Sequence, residues 1–205
     1  MAERVIVFID YMNTYKSARE AFGFWGLADH WEGQVHPRTL GEEICGRFAA
    51  REVELKEVRV YRGRPSNNKD PKGYAAFQRQ QSIWEQTNLV TLLARDLRYP
   101  DNYPTEKPQE KAIDVLLALD FVMMAVHDHY DIGVMFSHDT DLVPALDHVL
   151  DMDGIEPWVA AWQPDDDHGH RLQTKGGQVR CLWFPRNDYA AVRDGRDYNT
   201  KSTYH

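Results

Sequence analysis

Four aspartates stand at the ends of apolar runs: Asp10 closes "RVIVFID", Asp114 opens "KAIDVLLALD", and Asp139 and Asp141 follow "IGVMF" in "SHDTDLVPAL". Carboxylates gathered in one place repel, and such a cluster is stable only when protons or cations neutralise it. Oxygen ligands without sulfur or imidazole suit Mg²⁺ or Mn²⁺. A hard cation in an open carboxylate site lowers the pKa of bound water and stabilises the leaving oxygen of a phosphodiester. The chemistry open to this set is metal-assisted phosphoryl hydrolysis. Each acid also has an ordinary use. Asp10 can serve a turn, Asp114 can complement a helix dipole, and Asp139 or Asp141 can cap the next helix, with Pro144 in its first turn. Asn13 is a helix cap or a polar site residue.

The elements that must position these residues are readable from periodicity. Apolar, β-branched runs predict strands at 4–10, 55–63, 89–97, 130–137 and 156–162, with a short added strand at 179–184. Helical spacing predicts helices from about Asn13, over 37–51, 74–87, 110–126 and 142–152. Between the first two, "FGFWGLADHWEGQ" reads as an irregular excursion. Strands alternating with helices imply an α/β fold: a three-layer α/β/α sandwich around a mainly parallel, doubly wound sheet. Residues 1–187 read as one domain, and 188–205 as a polar, poorly ordered tail.

In such a sheet the strand C-termini share one edge, and ligands bind where the winding reverses. In the common winding, strands one and four are neighbours there. That brings Asp10, Asp139 and Asp141 together, and the helix bearing Asp114 must start at the same edge. Asp120 lies about 120° from Asp114 around the helix axis and reads as structural.

The net charge of −8 argues against a broadly basic nucleic-acid surface, so any such contact needs a local patch. "RVYRGRPSNNKDPKGY" supplies one, with Arg59, Arg62, Arg64, Lys69 and Lys72 among Tyr61 and Tyr74. Basic groups there can hold a phosphate backbone while aromatics stack on unpaired bases. Arg95 and Arg98 add a weaker patch, and Lys111 either contacts phosphate or pairs with Asp114. Asp165, Asp166 and Asp167 with His168 and His170 read as a solvated loop, not a metal site. Two cysteines without a CxxC pair fit a reducing compartment, which makes a cytoplasmic location the expectation. No apolar run is long enough to span a membrane. A phosphatase of the haloacid dehalogenase type would want an acid two residues past Asp10, where Met12 stands.

Together, "FIDYMN", "KAIDVLLALD" and "SHDTDLVPAL", in this order and spacing, resemble the NYN domain, a branch of the PIN-like nucleases; "YRGRPS" and "DPKGY" resemble its bacterial members. The resemblance implies a Mg²⁺- or Mn²⁺-dependent ribonuclease whose acidic site falls on Asp10, Asn13, Asp114, Asp139 and Asp141. On that expectation Asp10, Asp114, Asp139 and Asp141 hold the metal, and Asn13 and Ser137 support them. Arg62, Arg64, Lys72 and Lys111 contact RNA with single-stranded character. A protein partner of the antitoxin kind is compatible with the same reading. The competing expectation is a non-catalytic module that binds RNA or protein and keeps only a structural cation.

Overall fold

The run "ERVIVFID" forms strand β1 (Glu3–Asp10), buried from Val5 onward. Its side chains alternate between two cores: Val5, Val7 and Ile9 enter one, Ile6 and Phe8 the other. That period of two is what a strand covered on both faces demands. The computed structural model describes residues 2–24, 26, 28–165, 169–175 and 179–200.

Helices α1 (Tyr11–Ala21) and α2 (Pro37–Gly46) lead to β2 (Val53–Arg64). Helix α3 (Pro71–Trp84), β3 (Val90–Asp96), α4 (Ile113–Val126) and β4 (Ile132–Phe136) follow. A 3₁₀ turn (Thr140–Leu142), α5 (Val143–Leu150), β5 (Glu156–Trp162), β6 (Arg180–Phe184) and α6 (Arg186–Val192) complete the described elements. The six strands lie in the order β3-β2-β1-β4-β5-β6, and every pairing is parallel. Strands one and four are neighbours, as expected, with Ile9 opposite Phe136. Gly63 does not end the second strand, which runs on to Arg64.

One face of the sheet is covered by α1, α2, α3 and α6 through Ala18, Leu40, Ile44, Trp84 and Tyr189. The other is covered by α4 and α5 through Leu117, Phe121, Leu146 and Val149. This is the α/β/α sandwich. Phe8 lies edge-on to Phe121 and Tyr130, with ring centroids 5.0 and 5.7 Å away, a geometry that aromatic quadrupoles favour. The close fit needs a glycine in β4: a Cβ at Gly133 would lie 2.6 Å from the Tyr130 ring. Helix α4 is apolar nearly all round, and Val115, Leu119, Met123 and Val126 remain exposed on its outer side.

The C-terminal segment departs from the expected polar tail. Tyr189, Val192 and Tyr198 are buried, and so is Asp194, which accepts bonds from Trp84 Nε1 (3.4 Å) and Tyr198 Oη (2.5 Å). These few anchors are spaced among charges, so a hydropathy average over the segment hides them. Residues 201–205, like Asp166, Asp167 and His168 of the acidic loop, lie outside the described residues; Asp165 pairs with Arg186 at 2.6 Å.

Candidate active site

Asp10 ends β1 and caps α1, its Oδ1 accepting from the Asn13 amide at 3.2 Å. Its Oδ2 accepts from the Ser137 hydroxyl at 3.0 Å, just past β4. Asn13 reaches the same strand end, its Oδ1 accepting from the His138 amide at 2.8 Å. The Asp139 amide donates to Ser137 Oγ at 3.1 Å, and the Asp139 carboxylate caps the 3₁₀ turn by accepting from the Asp141 amide at 3.0 Å. Capping and site-building therefore coincide here: the bonds that end each element also aim the carboxylates.

Asp114 lies in the first turn of α4, where the helix dipole favours an anion. The chain enters that helix through Ala112 at φ 63°, in the left-handed region, where a Cβ costs about 1–2 kcal/mol.

These residues face a cleft of about 270 Å³ lined by Asp10, Met12, Asn13, Lys16, Ser17, Glu20, Glu110, Asp114, His138 and Asp139. Burial raises the Asp10 pKa from 3.8 to about 7, helped by the charges of Asp114 and Glu110 and opposed by the Asn13 and Ser137 bonds. Burial also raises Asp114, with Asp139 and Asp141 pushing the same way. Burial raises Glu110 too, although its carboxylate accepts from the Gly63 amide at 2.5 Å. The cleft thus gathers five carboxyl groups, of Asp10, Glu20, Glu110, Asp114 and Asp139, beside one lysine, Lys16. Among the described residues, no three acids, histidines or cysteines stand close enough together to clasp an ion. The donor chemistry fits a hard divalent cation: carboxylates around an open, polar cleft, backed by the Asn13 amide and Ser137 hydroxyl.

Sequence reasoning missed Lys16, Glu20 and Glu110. Asn13, Lys16, Ser17 and Glu20 follow the i, i+3, i+4, i+7 spacing of one helix face, so that spacing held the signal for the first two. Glu110 precedes α4 and reaches the cleft only because Gly63 lets it close on β2: a Cβ there would sit 2.9 Å from Glu110 Cγ. Asp141 is exposed and does not line the cleft, though its charge reaches Asp114. Lys111 is exposed beside the start of α4.

The basic residues separate. Arg64 pairs with Asp96 at 2.7 Å. It lines a second cleft of about 540 Å³ with Ser66, Asn67, Lys69, Tyr74 and Tyr99, and the Lys69 ammonium sits 5.5 Å from the Tyr99 ring centre. Lys72 is exposed in the first turn of α3. Arg62, expected beside them, instead turns inward between α1 and α3, its guanidinium 4.8 Å from the Tyr11 ring and 5.2 Å from the Phe77 ring. Strand alternation sends it to the opposite face from its neighbour Tyr61, which packs in the other core. Asp120 bonds Arg59 and Tyr61, both at 2.9 Å, in the structural role expected of it.

Among solved structures, the chain is similar to a protein of unknown function, VPA0982, from Vibrio parahaemolyticus RIMD 2210633. Identity is 18%, the TM-score is 0.49, and the match covers 78% of this chain and 81% of that one. A mutant of the bacteriophage T5 5′-exonuclease matches at 14% identity and TM-score 0.35, over 77% of this chain and 50% of that one. A variant of the T5 D15 flap endonuclease, crystallised with DNA and metal ions, matches at 12% identity and TM-score 0.35, over 76% of this chain and 55% of that one. No curated protein matches. The model of the NYN domain family matches residues 4–173, from the first strand through the acid-bearing edge and beyond β5, and the chain belongs to that family, within the PIN-like class.

Proposed function

We propose that this chain is a divalent-metal-dependent endoribonuclease that hydrolyses RNA of single-stranded character, leaving 5′-phosphate and 3′-hydroxyl ends. One observation carries the reading: Asp10, Glu110, Asp114 and Asp139 face one open cleft at the strand C-termini, where the sheet's winding reverses. Family membership supports a nucleic-acid substrate.

Asp10, Asp114 and Asp139 would hold Mg²⁺ or Mn²⁺, with Asp141 as a further ligand or the group that orients the attacking water. Bound there, such an ion supplies charge neutralisation and a more acidic water. Asn13 and Ser137 keep the carboxylates aimed through the bonds described above. In the reaction, water oxygen bonds to phosphorus as the bond from phosphorus to the 3′-oxygen breaks. The water's proton passes to a cleft carboxylate, and the departing 3′-oxygen takes a proton from solvent or Lys16. Arg64, Lys72 and Lys111 hold flanking phosphates.

The test is a defined single-stranded RNA incubated with Mn²⁺, with and without chelator, using the wild type and Asp114→Asn. Cleavage should require the metal and fall by about 100-fold or more in the variant. Cleavage that ignores chelator, or survives the substitution in full, overturns the mechanism. RNA binding without turnover under any divalent metal would make the chain a binding module instead.

A further inference from the structure

A second cavity, of about 260 Å³, opens between α1 and α3. Tyr11, Tyr15, His30, Gln34, Arg62 and Gln80 line it, and Tyr198 and Asn199 of the C-terminal segment close one side. The Arg62 guanidinium is flanked by Tyr11 and Phe77, and one of its terminal nitrogens donates to Gln80 Oε1. Gln80 is itself held, its Nε2 donating to Tyr11 Oη at 3.0 Å and Gln34 Oε1 at 3.1 Å. Arg62 Nε is buried without a partner, and Arg62 forms no ion pair among the described residues. Glu110, whose Oε1 accepts from the Gly63 amide, attracts it through space without forming an ion pair.

An enclosed cation without a counter-ion is costly. The rings of Tyr11 and Phe77 and the Gln80 amide hold this one in place without an ion pair, and the Glu110 charge acts on it only from outside the pocket lining. A protein that needed only packing here would place an apolar or paired side chain. The missing element is an anion, and the lining adds rings and amides suited to a planar, hydrogen-bonding ligand. The volume lies just below the roughly 300 Å³ at which drug-sized sites begin, so it suits one small unit and not a longer chain. Met12 lines both this cavity and the acid cleft, and Asp10 and Tyr11 are successive residues facing the two. The two openings therefore adjoin at the start of α1.

We propose that the cavity seats one phosphate-bearing nucleotide of the substrate strand, its phosphate meeting Arg62 and its base lying among Tyr15, His30, Gln34 and Tyr198. The inference rests on reading the acid cleft as a phosphodiester site, but its test does not need that cleft to work. The chain is titrated calorimetrically, in chelator, with adenosine and uridine 5′-monophosphates, the corresponding nucleosides and inorganic phosphate. A mononucleotide should bind about tenfold or more tighter than either nucleoside or phosphate. Arg62→Met should weaken mononucleotide binding by at least about tenfold. Ala76→Leu, which fills the cavity from α3 and leaves the arginine itself in place, should do the same. If Arg62→Met does not fold, the Ala76→Leu comparison decides. No mononucleotide binding at millimolar concentration overturns the proposal. So does inorganic phosphate binding as tightly as the nucleotide, or wild-type affinity in the folded variants. Metal-dependent RNA cleavage, scored on the same preparations, separately judges the reading of the acid cleft.

Discussion

Ser137 donates its hydroxyl to the Asp10 carboxylate across 3.0 Å, tying the loop after β4 to the end of β1. The same oxygen accepts from the Asp139 amide at 3.1 Å, so one buried serine orients two of the acids. Ser137→Ala leaves both partners short of a bond, and each lost bond at a buried polar group costs about 1–3 kcal/mol. Urea denaturation should register a loss of that order. Metal-dependent cleavage should drop about 10- to 100-fold, as expected for a group that orients a ligand.

Asp10 sets a pH dependence on the metal-free fold. Its carboxyl is raised from 3.8 to about 7 by burial, so the protonated form is the one the fold prefers. The associated stability is fully present below about pH 4 and is lost as pH rises through 7. The difference reaches about 4 kcal/mol at most, at 1.36 kcal/mol for each unit of pKa. Denaturation in chelator should show wild type weakening relative to Asp10→Asn between pH 4 and 8, and a flat difference would remove Asp10 as the buried acid of the cleft.

Gly133 sits under the Tyr130 and Phe121 rings, where a Cβ would approach to 2.6 and 3.0 Å. Gly133→Ala should therefore destabilise the chain by about 1–3 kcal/mol through overpacking. The melting temperature measures this directly. The effect should appear with no change in the metal requirement, because the glycine lies within β4, on the α4 side of the sheet.

Lys72 is exposed and pairs with no acid among the described residues. If it contacts a phosphate, Lys72→Ala should weaken RNA binding similarly across sequences and lower the salt slope by about 1. Arg64, already paired with Asp96, should give a smaller effect. Fluorescence anisotropy at several salt concentrations distinguishes the two.

Much of this architecture is visible in the bare chain because its causes are local. The period of two in "RVIVFID" and the alternation of strand and helix determine the layers, and the layers determine which strand ends meet. Asp10, Asp114, Asp139 and Asp141 could be assigned to one edge on that basis, and the family resemblance added Asn13 and Ser137; of the four acids, Asp141 does not line the cleft. What escaped depends on tertiary detail. Glu110 needs Gly63 to approach, Arg62 needs the Tyr11 and Phe77 rings, and the buried Tyr198 needs Asp194 and Trp84. None of these dependences leaves a periodic trace.

The strand order has a consequence for synthesis. β1 leaves the ribosome first yet sits at the centre, and its second neighbour, β4, arrives more than a hundred residues later. Until then the nascent chain holds Asp10 without Asp139, and β1 has an open side awaiting its partner. A cleft built this way stays unassembled until synthesis has passed Asp139.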